Sequence, residues 1–424
     1  MKILYVSQFF APEITAAAFR AYDHCEVWSK ETDVDLTVYT GNPNYPKGEL
    51  YDGYSNRIIE TKDLAYYRVV RSKSIIKKNT TKMGRLIVTL SFLLIGIFNI
   101  IFNRQKIGRK FDIILGTSGP IFAGILAYIY SLIYKADFVF EVRDITYLQM
   151  IATMSQDKSM GVRVMKGLEL FLCKKAKSVI VVTEGFKQIL IQEGIRREKI
   201  SVIYNGVNVK EYEKVIEKKA SNQLVLTYAG TIGISQDIEE LIDFYNKIDH
   251  ENKSLNIIGE GAQKASVIEY IQKHEIQGVT VFDAMTGEAF DNMLNKTTFA
   301  VVKLKYSTCF KNTIPSKVFD LMNRGIPILY LGPKGETSYH IDTAEAGISL
   351  TTMDNKKNVE LFKEYLADIN LLTLSKNGKM YLRENFDRRQ LATVYLEELY
   401  KVYWNKGRAL RKEKAHEYNQ ASNK

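Results

Sequence analysis

Short apolar runs alternate with helical stretches along most of this chain, stop once, and resume. The first series predicts strands at Lys2–Phe9, Leu36–Thr40, Tyr67–Arg71, Phe111–Gly116, Asp137–Arg143, Ser178–Thr183 and Ile200–Tyr204, with helices such as Ala16–Trp28, Met160–Lys175 and Glu184–Glu193 between them. Residues 208–222 turn charged and lose apolar period, which marks a linker. A second series follows, with strands at Leu224–Ala229, Leu255–Ile258, Val279–Phe282, Phe299–Val302 and Pro327–Leu331. Such alternation predicts an α/β chain of two doubly wound parallel sheets, each covered on both faces. The expected organisation is a first domain over 1–207, the linker, a second domain over 223–386, and a segment 387–424 whose helix Asp387–Lys406 crosses back before a polar tail. Two such domains are expected to meet at a cleft, with ligands outside the carboxyl ends of the strands.

Composition narrows the chemistry. The 424 residues are 46% hydrophobic and 25% charged, which excludes wholesale disorder. The 3 cysteines are far apart with no CxxC, and the 5 histidines form no HExxH, so no zinc site or disulfide framework is expected. A reduced cytosolic compartment follows. Lys2 leads straight into a strand-like run, so no secretory signal is expected at the start.

Charge is unevenly placed. Lys and Arg exceed Asp and Glu by 11, and Leu64–Phe111 contains 11 basic residues and no acidic one. Inside that window Leu86–Phe102 is an uncharged apolar run. As a helix it would be roughly 25 Å long, short of a bilayer's hydrocarbon core. Thr89, Gly96, Asn99 and Asn103 project onto one weakly polar stripe. Basic residues at both ends favour a helix of about 82–103 lying in an anionic inner membrane leaflet. A buried core helix and a full span remain alternatives. Nucleic acid fits poorly, because the cations bracket aliphatic residues rather than aromatic stacking platforms.

Several loops carry chemistry. Phe10-Ala-Pro-Glu13 leads into the first helix, where Thr15 can cap it and Ala16 keeps approach open. Gly230-Thr231-Ile232-Gly233 follows a strand and precedes a helix, and is either a plain tight turn or a loop whose free backbone N–H groups admit a diphosphate. Pro315-Ser316-Lys317 suits a helix start, with Lys317 either a solvated surface lysine or an ammonium that joins the helix dipole in holding an anion. Gly259-Glu260-Gly261 is a similar turn, and Asn205-Gly206 suits a left-handed corner. Asp33-Val-Asp35 resembles a metal-binding DxD but precedes a strand far from these loops, so it reads as surface charge and no metal is expected.

The segments QFFAPEITAAAFR (8–20), TGNPNYPKGELYDGY (40–54), FEVRD (140–144), VTEGFK…ISVIYNGVNV (182–209) and YAGTIG…GEG…PSKVFDLMNRGIPI (228–328) together resemble the GT-B glycosyltransferases of retaining family 4. The likeness is to the bacterial subgroup that adds sugars, N-acetylfucosamine among them, to lipid-linked intermediates of capsule or O-antigen. It implies a GT-B fold of two Rossmann-like domains and a nucleotide-sugar donor, UDP-linked by preference. It further implies a polyprenyl-diphosphate-linked saccharide as acceptor, work at the cytoplasmic face of the membrane, and no cofactor. Retention would proceed by front-face attack, with the leaving diphosphate as base. The resemblance places Thr15, Ala16, Arg20 and Ser118 at the acceptor loops. Arg143 would orient acceptor or donor, and Asp144 would bind an acceptor hydroxyl. Gly230, Thr231, Gly233, Gly259, Asp283 (through backbone), Lys317 and Asp320 would hold the donor. The family's E-x7-E pair falls on Asn312 and Asp320, so the sugar-contacting glutamate is replaced by an amide. Members often carry a basic residue after the glycines; here Ser235 and Gln236 stand there. These departures keep open a non-catalytic scaffold, and the fold also serves sugar-nucleotide 2-epimerases.

Overall fold

The computed structural model describes residues 1–45, 48–76, 82–154, 159–209 and 223–421. Most of the linker expected at 208–222 lies outside them. The chain forms two compact units: Met1–Tyr147, Asp157–Asn205 and Arg388–Lys424 form one, and Leu148–Gln156 with Gly206–Asp387 form the other.

In chain order the first series comprises β1 (Lys2–Val6), α1 (Ala16–Trp28), β2 (Asp35–Gly41), β3 (Ile59–Asp63), β4 (Arg68–Ser72), α2 (Lys82–Phe102), α3 (Arg104–Ile107), β5 (Ile113–Thr117), α4 (Ile121–Tyr134), β6 (Asp137–Val142), α5 (Thr146–Met154), α6 (Met160–Lys175), β7 (Ser178–Val181), α7 (Glu184–Gln192) and β8 (Ile200–Val202). The second comprises β9 (Leu224–Ala229), α8 (Ile238–Lys247), β10 (Lys253–Ile258), α9 (Lys264–Lys273), β11 (Val279–Phe282), α10 (Glu288–Lys296), β12 (Phe299–Lys303), α11 (Ser316–Arg324), β13 (Ile328–Leu331), α12 (Glu336–Thr343), β14 (Gly347–Leu350), α13 (Asn355–Ala367), α14 (Leu371–Asn385) and α15 (Arg388–Ala421).

The first sheet runs β3-β4-β2-β1-β5-β6-β7-β8 and the second β11-β10-β9-β12-β13-β14. All pairs are parallel except β3 with β4. The central strands β1, β5 and β6 are buried almost throughout, so apolar runs without alternation form them. Winding reverses between β1 and β5 in one sheet and between β9 and β12 in the other. In open sheets of this kind ligands gather beyond the carboxyl ends at those two places.

The final helix belongs to the first unit. Trp28 donates its indole N–H to the Ala392 carbonyl at 2.7 Å, Arg388 pairs with Asp23 at 2.5 Å, and Tyr395 is buried among Tyr5, Trp28 and Leu115. The helix continues through Ala421, past the Lys406 end expected from sequence, because the charged tail is built of good helix formers.

The apolar helix α2 is packed on one side only. Its polar stripe turns inward: Asn99 is fully buried and donates to the Tyr39 hydroxyl at 3.0 Å and the Ile58 carbonyl at 3.1 Å. Tyr130 on α4 donates to the Gly96 carbonyl at 2.8 Å. The outward face is apolar, with Leu94 57% and Phe102 69% exposed. Among the described residues no helix is long and apolar enough to cross a membrane.

Candidate functional site

In the first unit the predicted loop residues gather at the carboxyl edge of β1, β5 and β6. Thr15 Oγ1 accepts the Ala18 N–H at 3.0 Å and caps α1. Glu13 fixes the loop before it, accepting the N–H groups of Asn44 and Tyr45, each at 3.0 Å. Burial raises the Glu13 pKa and those N–H groups oppose the rise.

Around Glu141 lies a buried ionic cluster. The carboxylate is fully buried near the end of β6 and accepts Arg20 Nε and Arg143 Nε, each at 2.8 Å. Burial favours its protonation, but Arg143 and Arg20 outweigh that and hold the carboxyl well below its usual range. Arg20 also donates to the carbonyls of Tyr204 at 2.8 Å and Ile203 at 3.2 Å. Arg143 donates to the Ala17 carbonyl at 2.9 Å and the Tyr5 hydroxyl at 3.0 Å. Arg143 is only 8% exposed, so its guanidinium serves the protein, holding the first turn of α1 beside Ala16. Ser118 accepts the Arg143 N–H at 2.9 Å and donates to the Asp144 carbonyl at 3.3 Å, joining the β5 loop to the β6 loop. Sequence reasoning gave Glu141 no role, although an acid inside the buried strand run Phe-Val-Phe-Glu-Val demands a partner.

In the second unit the loops after β9 and β10 are zipped backbone to backbone. Gly230 donates its N–H to the Ile258 carbonyl and Ile232 to that of Glu260, both at 2.9 Å. A Cβ on Gly259 would lie 1.9 Å from the Gly230 carbonyl oxygen, and Gly259 has φ +156°, so only glycine fits. Gly230 itself has φ +151°, and a Cβ there would stand 2.9 Å from Lys317 Nζ. The Lys305 N–H adds the β12 loop by donating to the Ser235 carbonyl at 2.9 Å. Thr231 is exposed on this loop, its carbonyl accepting the Tyr228 hydroxyl at 2.6 Å, and Gly233 lies beside Gln236.

Two helix starts flank this loop and differ in charge. α8 begins after Asp237 with Glu239 and Glu240 in its first turn, and Glu240 pairs with the buried Lys303 at 2.7 Å. Its positive end is thus already answered by carboxylates. α11 has no acidic residue in its first turn and no side-chain cap. Lys317 stands there, donating to the Ala229 carbonyl at 3.1 Å with its ammonium 4.2 Å from the Tyr228 ring centroid. Solvent reaches part of the side chain, but the ammonium is enclosed, and desolvation lowers its pKa to about 8. No carboxylate among the described residues pairs with Lys317. The point that favours an anion is therefore the start of α11 against the Gly230 turn, rather than α8.

The other residues expected at the donor have partners of their own. Asp320 accepts Arg324 Nε at 3.0 Å, and Arg324 also holds Asp291 at 2.5 Å. Asp283, after β11, pairs with Lys264, which also holds Glu260 at 2.7 Å. Asn312 is partly buried between the 3-10 turn Thr308–Phe310 and α11. Lys303 escaped the sequence reading; a lysine closing the apolar run Phe-Ala-Val-Val is the signal that marks it. Among the described residues no three His, Cys, Asp or Glu side chains are grouped as a metal site needs. Asp35 of the DxD pairs with Lys2 at 3.0 Å, and Asp33 accepts the Tyr400 hydroxyl at 2.5 Å.

Comparison with known proteins agrees with this geometry. Residues 34–211 match the model of Glycosyltransferase Family 4. That stretch is a Glycosyltransferase Family 4 domain, and the chain has the GT-B fold. It is 20% identical over 338 residues to the proposed colanic acid biosynthesis glycosyl transferase WcaI of Escherichia coli (strain K12), covering 77% of this chain and 82% of that one. Sucrose-phosphate synthase from Thermosynechococcus elongatus shares the fold with TM-score 0.71 at 14% identity, covering 96% of this chain and 99% of that one. Anabaena HepE, solved in complex with UDP, does so with TM-score 0.65 at 14% identity, covering 95% of this chain and 100% of that one.

Proposed function

We propose that this glycosyltransferase moves a sugar from a UDP-linked donor to a polyprenyl-diphosphate-linked saccharide during synthesis of a bacterial surface polysaccharide. The observation that carries the donor half is Lys317. An enclosed ammonium with no carboxylate partner among the described residues, at an acid-free helix start and against the Gly230 turn, is suited to a diphosphate. The UDP complex of HepE favours uridine, and the description of WcaI favours an extracellular polysaccharide as the product.

Transfer is retaining in this reading. The acceptor hydroxyl oxygen bonds to the anomeric carbon on the face that the diphosphate leaves. The carbon–oxygen bond to phosphate breaks, and the hydroxyl proton passes to a departing phosphate oxygen. Lys317 and the start of α11 stabilise the charge that grows on that diphosphate. Work at the cytoplasmic face of the membrane is supported by the apolar outer face of α2 and the cations beyond it, Arg104, Lys106, Arg109 and Lys110.

Calorimetric titration of detergent-purified protein with UDP, GDP and ADP tests the donor class. Selective binding of UDP is expected, followed by transfer from a UDP-sugar panel to lipid-linked saccharides. Binding of none of the three nucleotides contradicts the reading and favours a scaffold.

A further inference from the structure

We infer that the depression at the carboxyl end of α2 seats the phosphate headgroup of an anionic membrane phospholipid. This rests on the membrane reading above and adds to it a ligand class and a position. The depression has a volume of about 590 Å³ and is lined by Ile101, Phe102, Arg104, Lys106 and Arg109 among others. One wall is apolar and the other cationic.

The apolar wall ends a ridge. Leu86, Leu90, Leu94, Phe98 and Phe102 are exposed at every fourth position along α2, and the rings of Phe98 and Phe102 lie 4.7 Å apart. Over the 16 residue steps from Leu86 to Phe102 this ridge runs about 24 Å. A helix with such a face lies in the plane of the interface, with its acyl-facing side chains below the headgroups. The cations stand where it ends, as long basic side chains do when they reach up to phosphates.

Among the described residues no carboxylate pairs with these cations. Arg104 stacks on the Tyr134 ring at 4.6 Å, and the Tyr134 hydroxyl donates to the Gly108 carbonyl at 2.9 Å. That arrangement orients the guanidinium while leaving its charge intact. Among the described residues Lys106 and Arg109 have no carboxylate partner, and the sequence holds no acid from Leu64 to Phe111. Mutual repulsion of three such charges is relieved by one bound anion. The place is separate from the acceptor loops. It lies toward the amino-terminal edge of the first sheet, whereas Ser118 and Arg143 stand at the carboxyl edge.

The test is cosedimentation of the full chain with vesicles of phosphatidylcholine alone or mixed with phosphatidylglycerol. The combined variant Arg104→Gln, Lys106→Gln, Arg109→Gln is compared with a charge-matched control on α13, Lys356→Gln, Lys357→Gln, Lys363→Gln. The expected result is a loss of affinity for mixed vesicles on the order of 10- to 100-fold in the first. The control should bind as the unaltered protein does, and UDP binding should be unchanged in both. Equal loss in both variants, or none in the first, would overturn the site while leaving membrane attachment standing. Failure of the unaltered protein to bind either vesicle would overturn the membrane reading itself. A dimer in vesicle-free solution that dissociates on Leu94→Ser with Phe98→Ser would assign the ridge to a second copy and overturn the proposal.

Discussion

The two units place positive charge at the carboxyl edges of their sheets in opposite ways. In the first, Arg20 and Arg143 are spent on one buried carboxylate, Glu141, and on carbonyls of neighbouring loops. In the second, Lys303 is likewise held by Glu240, but among the described residues Lys317 meets a carbonyl and an aromatic ring and no carboxylate. The difference separates cations that hold loops in place from a cation that, among the described residues, has no carboxylate to hold. Arg143, which the family resemblance casts as a ligand-orienting residue, emerges as a positioning residue that holds the first turn of α1.

Breaking the first unit's cluster should have the largest effect. Glu141→Gln leaves two guanidinium groups buried against a neutral amide, and should cost about 3–5 kcal/mol of stability, read from the urea unfolding midpoint. Its affinity for UDP, measured in the folded range, should not change. Glu141 has a depressed pKa in the folded state, so its contribution is present above the ordinary carboxyl range. It is lost as pH falls from about 4.5 toward about 2, and the variant should show a shallower acid transition over that window.

Lys317→Ala touches the other half of the comparison. Loss of one charge-assisted contact should weaken UDP binding by roughly 10- to 100-fold with little change in unfolding midpoint. A smaller effect is expected from pH alone. Lys317 is cationic below its pKa of about 8, so UDP affinity of the unaltered protein should decline as pH rises through and above that value. Lys317→Arg should flatten the profile, because a guanidinium stays charged. Smaller still, Gly230→Ala puts a methyl against Lys317 Nζ at a φ of +151°. The flexible ammonium can shift, so a several-fold loss of UDP affinity is expected, measured by the same titration.

Much of the scaffold was legible because buried parallel strands are written as uninterrupted apolar runs. β9 and β11 occupy the residues that the pattern predicts. β3 was missed because Ile-Glu-Thr-Lys-Asp is an edge strand with mostly exposed residues, and its charges read as loop. The orientation of α2 was not legible either. Asn99 turns inward because it finds Tyr39, 60 residues earlier, and a helical projection contains no such partner. The same limit hid the ionic cluster, in which Arg20 and Glu141 are 121 residues apart. Lys317 was legible from its place after Pro315 and Ser316, but its lack of a carboxylate partner among the described residues needed the fold. The replacement of the usual cation by Ser235 and Gln236 is what gives that lack its meaning.

The most direct test of the central claim is the UDP dissociation constant of the unaltered protein and of Lys317→Ala, titrated side by side below and above pH 8. A single uncompensated cation at the donor phosphates predicts tighter binding by the unaltered protein below pH 8 and a gap that narrows above it. Equal affinities at both pH values would contradict it and return Lys317 to the class of residues that only hold the fold.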